Sequence, residues 1–380
     1  MKEVMGITEY FRNVETTREH SGYYYSVGRA LTIAILGSIC GLRNVSQIHQ
    51  WALDERVRSF LDEYFDITVI PCYCWLLSML KMIKPESLNA CFIRWVGTLM
   101  PQSLHNLTIA FDGKAIRSTG KMDCYDEPLH IISAHIAELG LTMGQKAVEG
   151  KSNEIPAVRD LIELLDVSGC VIVADALNCQ KKTAKAIIDG NGDYVLQVKD
   201  NQETLKKDIE DYVQDTDLQE TMDTVATCEK NRDRIEHRIA YVTSNIEWLP
   251  GKEEWESLAS IGAINTQVTN KKGTTNEWHY YISSRQLTAE ELLKYARNEW
   301  TVESMHWLLD VHFNEDSCRV EDSNIQRNLN IIRKMALNSV RDYKNRTNSK
   351  RPFSKIMFGC LLNCKSILEI FPKWKSLTQN

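Results

Sequence analysis

The stretch Leu107–Gly113, LTIAFDG, read together with Cys170–Leu177, CVIVADAL, decides the fold. Each is a short run of apolar and β-branched residues that ends in an aspartate, which is how a buried strand of a sheet reads when its end opens on a site. Between them LHIISAHIAELG and LTMGQKAV form a hairpin about Glu138-Leu139-Gly140. Asn153 or Ser152 can cap a helix over Glu154–Leu165. Beyond the second aspartate, a helix over Gln180–Ile188 stops at Gly190 and DYVLQVK is one more strand. The order β-β-β-α-β-α-β predicts a mixed sheet flanked by helices.

Working outward, residues 1–100 read as helical, with apolar spacing of three and four in Val27–Leu42 and Cys74–Leu99 and with Pro71 and Pro85 as punctuation. After Leu205 an acidic helix, Lys206–Gln214, leads into alternating runs, RIEHRIAYV and ASIGAINTQV, with turn-like LPGK and KKGTT between. These predict a separate, mostly antiparallel insertion. YYISS and a helix opening at Thr288, with Glu290 and Glu291 in its first turn, return the chain to the main domain.

The chain of 380 residues with 43% apolar and 25% charged residues has ample material for a core, which excludes a disordered or low-complexity protein. The longest apolar run, Ala30–Leu42, is too short to cross a bilayer and reads as a buried helix. No secretory signal follows Lys2 and Glu3, so the expected address is the cytoplasm, with no membrane partner. Eleven scattered cysteines without a CxxC pair read as reduced thiols rather than a zinc site or disulfide framework. The net charge of −6 hides a basic end: Arg319–Lys375 carries 13 Lys or Arg against four acids, a local +9. That is compatible with a polyanion partner, although composition alone slightly favours a solvated helix face.

Asp112 and Asp175 stand at two strand ends, although Asp-Gly also reads as a turn and Asp175 as a helix cap. A third element raises the functional reading. In RNEWTVESMHWLLDV, helical spacing sets Glu303, His306 or Trp307, and Asp310 along one face. Three carboxylates from two strands and a helix suit divalent cations, because Mg²⁺ prefers oxygen ligands and leaves positions open for phosphate oxygens and water.

The runs FDGKAIRS, HIISAH, KSNEIPAV, ADALNCQ, DYVLQVKDNQ, RNEWTVESMHWLLDVHFNEDSCR and NIIRKMALN resemble, in order and spacing, the H-repeat-associated DDE transposases of bacterial insertion sequences, over about residues 20–345. The resemblance implies an α/β, ribonuclease-H-like mixed sheet flanked by helices, with a helical N-terminal domain and a β-rich insertion before the last catalytic acid. The implied division is a helical N-terminal domain at 1–100, the core at 101–204 and 279–345, the insertion at 205–278 and a basic tail at 346–380. It implies Asp112, Asp175 and Glu303 as catalytic acids and ligands of Mg²⁺, with Mn²⁺ as a substitute. Activated water would cut double-stranded DNA at a transposon end, and the freed 3′-hydroxyl would attack target DNA, in a homodimer on DNA.

Matching positions suggest DNA contacts for Lys114, Arg117, Lys199, Asn201, Gln202, Arg297, Trp300 and Trp307; Arg297 is an alternative partner for Glu303, and at least one tryptophan is expected in the core. Asn178 and Gln180 read as helix caps, and His306 either as a support behind the acids or, at least as readily, as a satisfied, partly buried histidine. The chain departs from the family at Glu299, where relatives carry His, at Arg232-Asp233-Arg234, at PCYCW (Pro71–Trp75) and at Asp310, which takes the place of a basic residue. The competing expectations are a catalytically silent DNA-binding relic and a metal-dependent endonuclease without strand transfer.

Overall fold

A computed structural model describes residues 7–17, 25–117, 119, 128–149, 154–231, 233–318 and 320–370. The caps expected at Ser152 or Asn153, and Lys2, Glu3, Arg232, Arg319 and 371–380, lie outside the described residues.

The N-terminal part is helical: α1 (Ile7–Tyr10), α2 (Val27–Ile39), α3 (Val45–Ala52), α4 (Glu55–Phe65), α5 (Tyr73–Met82) and α6 (Pro85–Gly97). Helix α2 is the apolar run, buried along its length. The periodic stretch 74–99 is two helices, divided as the punctuation at Pro85 indicates, since Pro85 lacks an amide hydrogen and opens α6 at its first position.

The sheet contains β1 (Thr108–Ala115), β2 (Leu129–Ile136), β3 (Leu141–Glu149), β4 (Val171–Ala174), β5 (Asp193–Val198), β6 (Asp223–Asn231), β7 (Arg234–Thr243), β8 (Ser260–Asn270) and β9 (Gly273–Ser283). Their order is β3-β2-β1-β4-β5-β9-β8-β7-β6. Strands β1, β4 and β5 are parallel and the rest pair antiparallel. The first five strands form the ribonuclease-H-like arrangement. The strands after Leu205 are antiparallel, as their alternation indicates, but they do not make a separate sheet: β9 pairs with β5 and carries β8, β7 and β6 outward as a continuation.

Helices α7 (Glu154–Leu164), α8 (Lys181–Asp189), α9 (Glu203–Gln214) and α10 (Thr216–Gln219) follow the strands, and α11 (Ala289–Glu299), α12 (Thr301–Phe313), α13 (Ser323–Thr347), α14 (Phe353–Leu362) and α15 (Ile367–Ile370) close the described chain. Strand alternation splits the interior into two cores. Ile109, Phe111, Ile172, Ala174 and Leu196 face one core, with Ala157 and Leu161 of α7 and Ile187 of α8. Ala110, Val171, Val173 and Val195 face the other, where α2, α5, α6 and α11–α13 gather. The basic segment is solvated only in part: Arg346, Lys350, Arg351, Lys355 and Lys365 are exposed. Most of α13 is buried, Arg333 and Lys334 included, and it joins the N-terminal helices to the sheet. Asn328 donates to the carbonyls of Leu80 and Ile83 at 2.8 and 3.0 Å, while Asn338 bonds both backbone groups of Thr142.

Candidate active site

Two residues fix the site: Phe111 and Ala174 are the last register pair between parallel strands β1 and β4. The next residue on each side is an acid, Asp112 and Asp175. Alternation with period two puts Asp112 in line with Ala110 and Asp175 in line with Val173, so both belong to the face covered by α11 and α12. On β5 the same face runs Val195, Gln197, Lys199. Helix α12 brings Glu303 to it. Asp112, Asp175 and Glu303 line one cleft of about 280 Å³ with Phe111, Gln197, Lys199, His279, Tyr281, Glu299, Trp300 and Val302.

Asp112 does not end its strand. β1 continues to Ala115 and Asp112 is paired with Ser133 of β2, so Asp-Gly is no turn. Gly113 is there for close approach, because a Cβ on it would lie 3.0 Å from the Glu154 carboxyl at the start of α7. Asp175 is both a cleft residue and a cap: its carboxylate accepts from Asn178 N at 3.3 Å and Asn178 Nδ2 at 3.0 Å. Asn201 and Gln202 turn their amides inward to that same loop, Asn201 to Ala176 O at 2.7 Å and Gln202 to Cys179 O at 3.1 Å. Gln180 donates to Leu177 O. These amides hold the turn that presents Asp175.

Glu299, a departure from the resemblance, is a fourth carboxylate in the cleft. Burial, with Asp175, Asp112 and Glu303 adding like charge, pushes its pKa up to about 7, and only Lys199 opposes them. All four acids line the one cleft. Their hard oxygen donors suit a divalent cation in chemistry. Among the described residues no three His, Cys, Asp or Glu are grouped at metal-holding distance.

The stripe read on α12 lies along β1. His306 Nδ1 is 3.3 Å from Asp112 Oδ2, and one turn on, Asp310 meets Lys114 at 2.6 Å. Lys114 is largely buried and also reaches Glu315 and Asp316 at 3.2 and 3.4 Å. The acidic neighbours raise its pKa despite burial. Arg117 is exposed, 3.7 Å from Asp316. Arg297 does not reach Glu303; it pairs with Glu229 of β6 at 2.6 Å. Neither tryptophan packs in the core, since Trp300 is 55% exposed and Trp307 61%.

Beside the acids, a groove of about 250 Å³ between β7–β9 and α11 is lined by Arg234 and Arg238, both paired with Glu236, and by Arg297, Glu277 and Trp300, and it shares Trp300, His279 and Tyr281 with the acid cleft. Gln197, His279 and Tyr281 were not anticipated as site residues. Gln197 was findable, two residues before Lys199 on one strand face, whereas His279 and Tyr281 arrive only through the β5–β9 pairing.

The chain is similar to known transposases. The model of the transposase DDE domain matches residues 107–339, and the domain described as DDE_Tnp_1-associated matches 8–96. "Putative transposase YncI" of Escherichia coli O157:H7 is 30% identical over 99% of both chains. "H repeat-associated putative transposase YhhI" and "Putative protein YbfL", both of Escherichia coli K12, are each 30% identical over 88% of this chain and 90% of theirs. Among solved structures, the piggyBac transposase synaptic complex with hairpin DNA aligns with 98% of this chain and 78% of that one at a TM-score of 0.46 and 9% identity. No described helix is long and apolar enough to cross a membrane. With the transposase DDE domain matched over more than half its length and H-repeat-associated relatives matched over most of theirs, the chain belongs to the DDE transposase family.

Proposed function

We propose that this protein transposes its own insertion sequence: it binds the terminal inverted repeats, cleaves DNA there and joins the freed end to a target, working as a homodimer on two ends. Asp112, Asp175 and Glu303 would hold divalent metal, Mg²⁺ or in its place Mn²⁺. The observation that carries this reading is the register that makes two aspartates consecutive with one strand pair and aims both at the helix bearing Glu303. When bound, the cation would supply stabilisation of charge on the phosphodiester oxygens.

The chain's own residues supply the rest. The Asp175 cap and the Asn201 and Gln202 bonds fix the loop that carries the second acid. Lys199, on the same sheet face and partly offsetting the acids, would meet a backbone phosphate. Trp300 and Trp307 are exposed aromatics on which an unpaired base would stack, and Trp300 borders the neighbouring groove as well as the acids. Lys114 serves differently, as the ion-pair centre that clamps α12 over β1.

The test is cleavage and joining on a labelled duplex of the element's own end, with Mg²⁺ or Mn²⁺, beside Asp175→Asn. Metal-dependent nicking lost in the variant, with joined product, supports the proposal. Nicking without joining reduces it to an endonuclease, and specific, salt-sensitive binding without nicking leaves a silent DNA-binding relic.

A further inference from the structure

A second cleft, of about 210 Å³, lies between α12, α13 and the turn joining β2 to β3. Arg341 of α13 enters it. Its Nε is shielded from solvent and lacks a hydrogen-bond partner, and none of the ion pairs found among the described residues includes it. The guanidinium rests 4.7 Å from the centre of the Phe353 ring and against Gly140 of the turn, where a Cβ would lie 2.8 Å from Nε. Backbone φ of +66° and that contact both require glycine there. The charge is therefore held in place without a counter-charge.

The nearby acids are already engaged. Asp342 pairs with Arg346 at 2.7 Å. Glu138 lines the cleft, but its Oε2 accepts from Thr108 N at 2.8 Å and its Oε1 from Thr108 Oγ1 and Asn298 Nδ2 at 2.7 and 3.0 Å. Burial alone lowers the Arg341 pKa, with no acid to offset it. A second unpaired group faces the same space: His135 is 3% exposed and its Nδ1 has no partner. Ser304 of α12 adds a hydroxyl to the lining.

Arg341 is half-buried, and a charged donor atom shielded from solvent and left without an acceptor, as its Nε is, is costly. The complement of a fixed fork of donors, an imidazole and a hydroxyl is a compact anion with several acceptor oxygens. We propose that this cleft, walled by Arg341, His135 and Ser304, binds a phosphate group. Ser304 directly follows Glu303, so an occupant ties the helix carrying the third acid to α13. The phosphate belongs either to a DNA backbone or to a free phosphate compound.

Inorganic phosphate titrated calorimetrically into the full-length protein at constant ionic strength is the test. Saturable binding of one phosphate is expected, weakened at least ten-fold in Arg341→Gln and several-fold in Ser304→Ala. Asp175→Asn should bind phosphate as the native chain does, so failure of the acid-cleft reading and failure of this one are distinguishable. The ¹⁵N resonance of the His135 ring should move with phosphate in the native protein, a readout that stands even if Arg341→Gln does not fold. An element-end duplex that displaces phosphate assigns the site to backbone phosphate, whereas simultaneous binding assigns it to a free compound. Absence of saturable binding, an unmoved His135 resonance, or native affinity in folded Arg341→Gln overturns the proposal.

Discussion

Nδ1 of His306 stands 3.3 Å from Oδ2 of Asp112, while the other ring nitrogen is buried without a hydrogen-bond partner. The imidazole is thus anchored on its helix and touches the first acid from one side. His306→Gln should lower cleavage roughly 10–100-fold, the range for groups that orient a ligand, and leave affinity for the element's end unchanged. Single-turnover cleavage beside a binding isotherm checks it; a parallel loss in both would show that His306 supports the fold and not Asp112.

Asp175→Asn separates the two duties of that residue. An asparagine Oδ1 can still accept from Asn178 N, so stability in urea should change by less than about 1 kcal/mol. Cleavage should vanish. A large stability loss would mean that the charge, and not the cap geometry, holds the turn.

Lys114 balances Asp310, Glu315 and Asp316, and Glu315 is wholly buried. Lys114→Met should cost about 3–5 kcal/mol by stranding that carboxylate. Combining it with Glu315→Gln should recover part of the loss, measured as a double-mutant cycle in denaturant. Additive losses would refute the coupling.

Lys334 is fully buried and donates to Ser133 at 2.7 Å. Burial pushes its pKa down to about 7, against the pull of Glu315 and with the push of Lys114. The unfolded chain therefore keeps a proton that the folded chain has released above pH 7, so stability should rise with pH from about 7 toward the ordinary lysine range. Lys334→Met should flatten that rise. Identical pH slopes in the two proteins would place the titration elsewhere.

Trp300 and Trp307 are more than half exposed, so alanine at either should alter stability by no more than about 0.5 kcal/mol. Each stacked base lost should weaken binding of a frayed element end by about 1–3 kcal/mol, with less effect on intact duplex. Equal affinity for both substrates in the variants would remove stacking from their role.

Much of this was legible because short-range chemistry wrote it. The apolar runs ending at Asp112 and Asp175, the Thr288 cap with Glu291, and the hairpin glycine at 140 each specify their element locally. The α12 stripe was readable too, since helical spacing alone aligns Glu303, His306 and Asp310. What sequence concealed was long-range. Nothing local says that Lys114 meets one acid on α12 and two just past it, that Arg297 spans to β6, or that β9 docks on β5. The basic count of the last segment misled for a related reason: charge content does not tell a solvated lysine from Lys334 inside a core.

The pairing of Val195 with Ser283 has a consequence for how the protein is made. On the ribosome, β5 emerges long before its neighbour β9, and until the chain reaches Ser283 one side of the central strand set is an open edge. Open edges invite pairing with other chains. A transcript cut short ahead of β9 therefore yields a polypeptide lacking Glu303 and carrying an unprotected strand, disposed to aggregate and be degraded rather than to persist as a soluble competitor for the element's ends.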